Sequence, residues 1–141
     1  MKSVSSLDCI IEISEKINIQ NPSDEIKINC SNSESSPTID IEIKKSKINN
    51  RIHLTCNEKL DIKATINLQI YDNATLEFID EANYEGATEI QMNTIMRPNA
   101  VFELYKFNKF NASTKNSFVH NCDLQSCLLY TSDAADDAHG V

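Results

Sequence analysis

Tryptophan is absent from the 141 residues, glycine occurs twice and proline three times. So little glycine excludes a phosphate-cradling loop, and the hairpin dipeptides Asn-Gly and Asp-Gly do not occur at all. No run of about eighteen apolar residues exists, so no bilayer span is expected. The N-terminus has no basic patch, apolar stretch and small-residue cleavage site, which leaves a cytoplasmic protein as the expectation. Cations are scarce as well, 13 Lys and Arg against 21 Asp and Glu, for a net charge of -8. Nucleic-acid affinity comes largely from clustered Lys and Arg, so that partner class is excluded.

Composition changes near the C-terminus. Before Ser126 the chain is rich in Ile, Asn, Lys, Glu and Ser; the run Cys127-Leu128-Leu129-Tyr130-Thr131-Ser132-Asp133-Ala134-Ala135-Asp136-Asp137 follows. Read back into codons, that run matches a transposon-end sequencing adaptor. Residues 127–141 are therefore read as translated adaptor and expected to be disordered, as residues 1–6 are. The genuine core is assigned to residues 7–126, a truncated piece of a longer natural protein. With Asp133, Asp136 and Asp137 set aside its charge is -5, still acidic. Its cysteines, Cys9, Cys30, Cys56 and Cys122, lie too far apart for a Cys-x-x-Cys signature and read as reduced apolar fillers.

What the chain does have is alternation. Ile39-Asp40-Ile41-Glu42-Ile43 alternates without error, and Leu60, Ile62, Ala64, Ile66, Leu68 and Ile70 alternate with Asp61, Lys63, Thr65, Asn67 and Gln69. Period two puts every second side chain on one face of a strand, whereas a helix would scatter these residues around its circumference. Ile17/Ile19, Ile26/Ile28, Leu76/Phe78, Ile90/Met92 and Phe102/Leu104 extend the pattern to an all-β chain. Asn, Asp and Ser break the strands. Asn and Asp tolerate left-handed backbone, so they turn corners without glycine.

Polar corners and missing hairpin signals point to a solenoid. Asn73-Ala74-Thr75-Leu76-Glu77-Phe78 returns in outline as Asn99-Ala100-Val101-Phe102-Glu103-Leu104, and Asn57-Glu58-Lys59-Leu60-Asp61-Ile62 reads as a weaker copy. The intervals are sixteen and twenty-six residues, an unevenness that solenoids absorb in loops. No helix is expected; Glu81 to Ala87 reads as a turn around Gly86, and Ser31 to Ser36 as a loop.

Few residues invite chemistry. On a strand, Phe118, His120, Cys122 and Leu124 would share one face, with His120 and Cys122 about 7 Å apart. A metal site needs third and fourth ligands that no neighbour supplies, so a buried His120 bonded to the next coil is the expectation. His53 with Cys56 is a weaker pair. Glu77 and Glu103, one repeat apart, resemble paired glycosidase carboxylates but read as solvated outward charges. Asn73-Ala74-Thr75 and Asn111-Ala112-Ser113 match glycosylation acceptors and read as corners. No catalytic, cofactor-binding or metal residue is assigned, and no enzyme activity is expected.

The segments Asn73-Ala-Thr-Leu-Glu-Phe-Ile-Asp, Asn93-Thr-Ile-Met-Arg-Pro-Asn-Ala-Val-Phe-Glu-Leu-Tyr-Lys-Phe-Asn and Asn116-Ser-Phe-Val-His-Asn resemble the core of the SufB/SufD family, scaffolds of the SUF iron–sulfur cluster assembly system. Asp24-Glu25-Ile26-Lys27-Ile28-Asn29 and Asn50-Arg51-Ile52-His53-Leu54 resemble its opening segments. The similarity runs from about Leu7 to Leu124 and is closer to SufD than to SufB. It implies a right-handed parallel β-helix that pairs with a SufB-like paralogue and a SufC-like ABC ATPase. The iron–sulfur cluster would belong to the full complex, and this segment would bind none. The family's functional Cys and His residues lie in its C-terminal portion, so no role passes to Cys122. Two other functions fit the periodicity. An extracellular β-helix protein acting on or adhering to polysaccharide should show a secretory signal and clustered aromatics. A polymer-forming solenoid should show more even repeats.

Overall fold

The computed structural model describes residues 6–14, 17–31, 36–44, 49–56 and 59–125. The tail 127–141, the corner residues Asn57 and Glu58, most of the Ser31–Ser36 loop and residues 1–5 lie outside them. Among the described residues there are twelve strands and no helix, and so none long and apolar enough to cross a membrane. The strands are β1 (Ser6–Glu12), β2 (Asn18–Gln20), β3 (Ile26–Ser31), β4 (Thr38–Ile43), β5 (Asn49–Thr55), β6 (Ile62–Ile70), β7 (Thr75–Asp80), β8 (Asn83–Tyr84), β9 (Thr88–Met96), β10 (Val101–Lys106), β11 (Lys109–Phe110) and β12 (Asn116–Leu124).

These strands stack as coils of a parallel β-solenoid. One sheet has the order β10-β7-β5-β1-β2, a second β12-β9-β6-β4-β3, and a third holds only β11-β8. The chain visits them in turn: β7, β8 and β9 make one coil, and β10, β11 and β12 the next. Thr75 pairs with Val101 and Ile62 with Thr88, each a step of 26 residues. The step lengthens to 28 where Thr88 meets Asn116. Between β4 and β6 the step is 27, and the register still pairs Ile39 with Ile66, so the corners absorb the differences and the alternating faces stay in phase from coil to coil.

Phase decides burial. In β6 the side chains alternate between buried and more accessible along the whole strand. Its inner residues Ile66, Leu68 and Ile70 stack on Ile39, Ile41 and Ile43 of β4 and under Met92, Thr94 and Met96 of β9. In the first sheet, Cys9, Ile52, Phe78 and Leu104 form a comparable inner column. Each fully buried Ile, Leu or Phe contributes roughly 1.5–3 kcal/mol relative to exposure.

The corners follow from residue chemistry. Asn73 and Asn99 both sit at φ 62, in the left-handed region that Asn enters more readily than most residues. Arg97-Pro98-Asn99-Ala100 carries the type II signature, Pro second and Asn third, and closes with Ala100 N–H donating to Arg97 O at 3.0 Å. Tyr71-Asp72-Asn73-Ala74 closes the same way.

Three readings of the sequence need correction. Ile19 and Ile26/Ile28 do lie on strands, with Ile17 just before β2, but β2 and β3 run antiparallel to β1 and β4. They form an excursion that lengthens the step from Ser6 to Asn49 to 43 residues and closes one end of the stack. Alternation fixes a strand's faces and not its direction, so the reversal was invisible. The segment Glu81 to Ala87 is more than a turn, since it carries β8 of the third sheet. Leu60 to Ile62 is not a third copy of the Asn73 corner, because Ile62 aligns with Thr88 at the start of the second sheet.

Gly86 has a separate reason. A Cβ there would stand 2.1 Å from the carbonyl oxygen of Leu60, so the coil below admits only hydrogen at this point.

Candidate functional site

The alternation places polar side chains inside the solenoid at a few points, and these are where chemistry could reside. In the first sheet the inner column that begins with Ile11 and Leu54 continues as Asp80 and Lys106. The carboxylate and ammonium thus occupy equivalent positions one coil apart. Lys106 Nζ lies 3.0 Å from Asp80 Oδ2, with only 12% and 1% of the two side chains exposed.

The third sheet completes their surroundings. Asp80 Oδ1 accepts from the Ala82 N–H at 3.1 Å, the Tyr84 hydroxyl at 3.2 Å and Asn108 Nδ2 at 2.8 Å. Asn108 also donates to the carbonyl oxygens of Asp80 and Ala82, which pins the bend between β7 and β8. Phe118 covers the ammonium, its ring centroid 3.4 Å from Nζ. Burial pushes the Lys106 ammonium below its usual range, against the opposing pull of Asp80. It also pushes the Tyr84 phenol well up, helped by the Asp80 charge. Four donors converge on one carboxylate, which leaves it saturated rather than poised to take a proton from a substrate.

Sequence reasoning missed this cluster although a signal was present. Asp80 and Lys106 interrupt the apolar positions of Leu76/Phe78 and Phe102/Leu104, carry opposite charge and stand 26 residues apart. A charge on the inner face of an otherwise apolar alternation is costly unless paired, so each residue implied the other.

The residues singled out from sequence fall differently. His120 is buried on the inner face of β12, with Thr94 Oγ1 of the coil below 3.0 Å from its Nε2, and its ring stands edge-on to Phe102 at 5.8 Å. The inner face of β12 also carries Phe118, Cys122 and Leu124, all half-buried. Thr94 and Cys122 are register partners. No group of three His, Cys, Asp or Glu side chains that could hold a metal ion occurs among the described residues. His53 and Cys56 are not brought together: His53 lies on the outer side of β5, whereas Cys56 is in the core.

Glu77 and Glu103 are adjacent in register on the outer face of the first sheet. Arg51 of the coil below sits between Glu77, at 3.2 Å, and Asp8, at 3.8 Å. The Tyr105 hydroxyl donates to Glu103 and the carboxylate raises that phenol. These carboxylates stand on an open sheet face, the setting read for them from sequence. Asn73 occupies a corner, and Asn111 caps its own turn by accepting from the Ser113 N–H at 3.0 Å.

A second outer feature runs the height of the second sheet. Asn121 donates to Asn93 at 3.0 Å, Asn93 to Asn67 at 2.9 Å and Asn67 to Asp40 at 2.8 Å, one link per coil. Asp40, Asn67 and Asn93 of this ladder, with Asn29 opposite Asp40, line a groove of about 510 Å³.

Neither a family model nor a curated protein nor a solved structure matches this chain.

Proposed function

We propose that the chain is a non-catalytic scaffold of the SUF iron–sulfur cluster assembly system, a SufD-like subunit that pairs with a SufB-like paralogue and a SufC-like ABC ATPase. One observation carries the reading. In two of the segments that resemble that family, those beginning at Asn73 and Asn93, the Asn-Ala pairs at Asn73 and Asn99 occupy the same corner of consecutive coils, with Thr75 opposite Val101 and both asparagines at φ 62. The parallel solenoid supports it further, since that is the architecture the similarity implies. The cluster would be cargo of the assembled complex.

The test is co-expression of the chain, tagged, with SufB-like and SufC-like proteins from one source, followed by gel filtration. A ternary complex in fixed ratio is the expected result, and separate elution of all three overturns the proposal. The uninterrupted locus offers an independent check: an ABC-type ATPase gene beside it and further β coils in the frame are expected.

The step of 26 residues, more even than the sequence intervals, favours a second reading as a polymer-forming solenoid. Sedimentation at rising concentration would expose it as a ladder of end-to-end species.

A further inference from the structure

Where the antiparallel strands close the stack, one inner column of each large sheet finishes in the same residue type. In the first sheet the column Leu104, Phe78, Ile52 ends in Cys9. In the second, His120, Met92, Ile66, Ile39 ends in Cys30. The columns lean on each other across the core: the His120 ring meets that of Phe102, the inner residue preceding Leu104 on β10, at 5.8 Å. At the closed end their last members are two free thiols.

Cys9 is fully buried, its Sγ–H donating to the carbonyl oxygen of Gln20 at 3.1 Å. Cys30 on β3 is half-buried and packs against the same core. Burial raises both thiols above their usual range; a charge on Cys30 adds to the rise of Cys9, and Asp40 adds to that of Cys30. The two sulfurs are thus near enough to sense one another. The chain between them is the antiparallel excursion itself, in which β2 is held to β1 over only three register pairs.

We infer that Cys9 and Cys30 form a reversible disulfide that locks the closing strands onto the stack in the presence of a peroxide. Cys30, the more accessible thiol, gives up its proton and its sulfur attacks hydrogen peroxide; the O–O bond breaks, one water leaves and a sulfenic acid remains. The Cys9 sulfur then attacks that of Cys30, the S–O bond breaks, the Cys9 proton departs in a second water and the S–S bond forms. Two thiols are oxidised by two electrons, and one peroxide is reduced to two waters. The closed loop, residues 9–30, contains β2 and most of β3. The inference rests on the two columns and stands apart from the SUF reading.

The test treats the full chain with hydrogen peroxide, alkylates the remaining thiols and digests without reductant. Trypsin cuts after Lys16, Lys27 and Lys44, so Cys9 and Cys30 fall on separate peptides, 3–16 and 28–44, that this bond joins. Joined peptides, parted again by a phosphine, are the expected product. Hydrogen exchange in β2 and β3 should then slow on the order of 100-fold. Cys30→Ala should abolish both effects while circular dichroism stays unchanged, and the mapping on the unaltered chain stands whatever that variant does. Thiols that remain alkylatable, a sulfinic acid at Cys30 without the link, a dominant link to Cys56 or Cys122, or equal linking in denaturing urea each overturn the inference. So does a link that leaves exchange in β2 and β3 unchanged. No ATPase or paralogue enters the assay, so its failure is distinct from failure of the proposed function.

Discussion

The first coil of the stack is closed by strands that run backwards, and the last ends in strands that run with all the rest. At the first end β2 and β3 fold over β1 and β4; β2 is three residues long, and its Asn18 and Gln20, with Asn21 just after it, are exposed and polar. Short, polar edge strands resist further pairing. The large apolar side chains left exposed among the described residues, Ile95, Tyr105, Phe107, Phe110 and Val119, all belong to the last two coils. Reversal of direction closes the first end of the stack, whereas the last two coils keep the parallel course and carry these exposed side chains.

Several substitutions test this difference between the two ends. The largest effect is expected inside the later coils: Lys106→Met leaves Asp80 buried and unneutralised, at a cost of about 3–5 kcal/mol in urea unfolding. Hydrogen exchange should then open β10–β12 before β4–β6; uniform opening would show that the coils unfold as one unit. At the closed end Ile26→Ala removes a fully buried side chain and should cost about 2–5 kcal/mol. Asn99→Ala forces a β-carbon into left-handed backbone for about 1–2 kcal/mol, whereas Asn99→Gly should recover most of it. Phe110→Ser, the last-coil counterpart of Ile26→Ala, removes a partly exposed ring stacked on Tyr84 and should cost only about 0.5–1.5 kcal/mol. A large loss there would mean that the last coil is better packed than its exposure implies.

Alkaline pH probes the same region. The Tyr84 phenol titrates higher in the folded protein than in the unfolded chain, so its contribution is complete below about pH 10 and is lost as pH rises toward the folded value. Tyr84→Phe should lower stability at neutral pH, because the bond to Asp80 goes, and flatten this alkaline decline. An unchanged decline would assign it to other groups.

Much of the architecture was legible because burial imposes a strict rule on alternation. The inner faces of β4, β6, β7 and β9 could be written down from Ile39–Ile43, Leu60–Ile70, Leu76/Phe78 and Ile90/Met92, and the Asn73 and Asn99 corners from the tolerance of asparagine for positive φ. The antiparallel course of β2 and β3 could not, since Ile26/Ile28 alternate identically in either direction. The third sheet escaped because two-residue strands have no period to detect. The inner position of His120 follows from its period-two spacing with Phe118 and Cys122, whereas Asp80 and Lys106 have no unusual residue type or motif to mark them and are legible only as opposite charges in an apolar column.

The amide ladder explains one residue choice that periodicity leaves open. A carboxylate accepts but cannot donate, so of the four positions only the one at the receiving terminus tolerates aspartate, and there Asp40 is found. Relocated to position 67 or 93, the same acid would face an oxygen with an oxygen and sever the relay. The column therefore has a beginning and an end written into its atoms, and polarises along the direction in which the coils stack, like a chain of dipoles pointing one way.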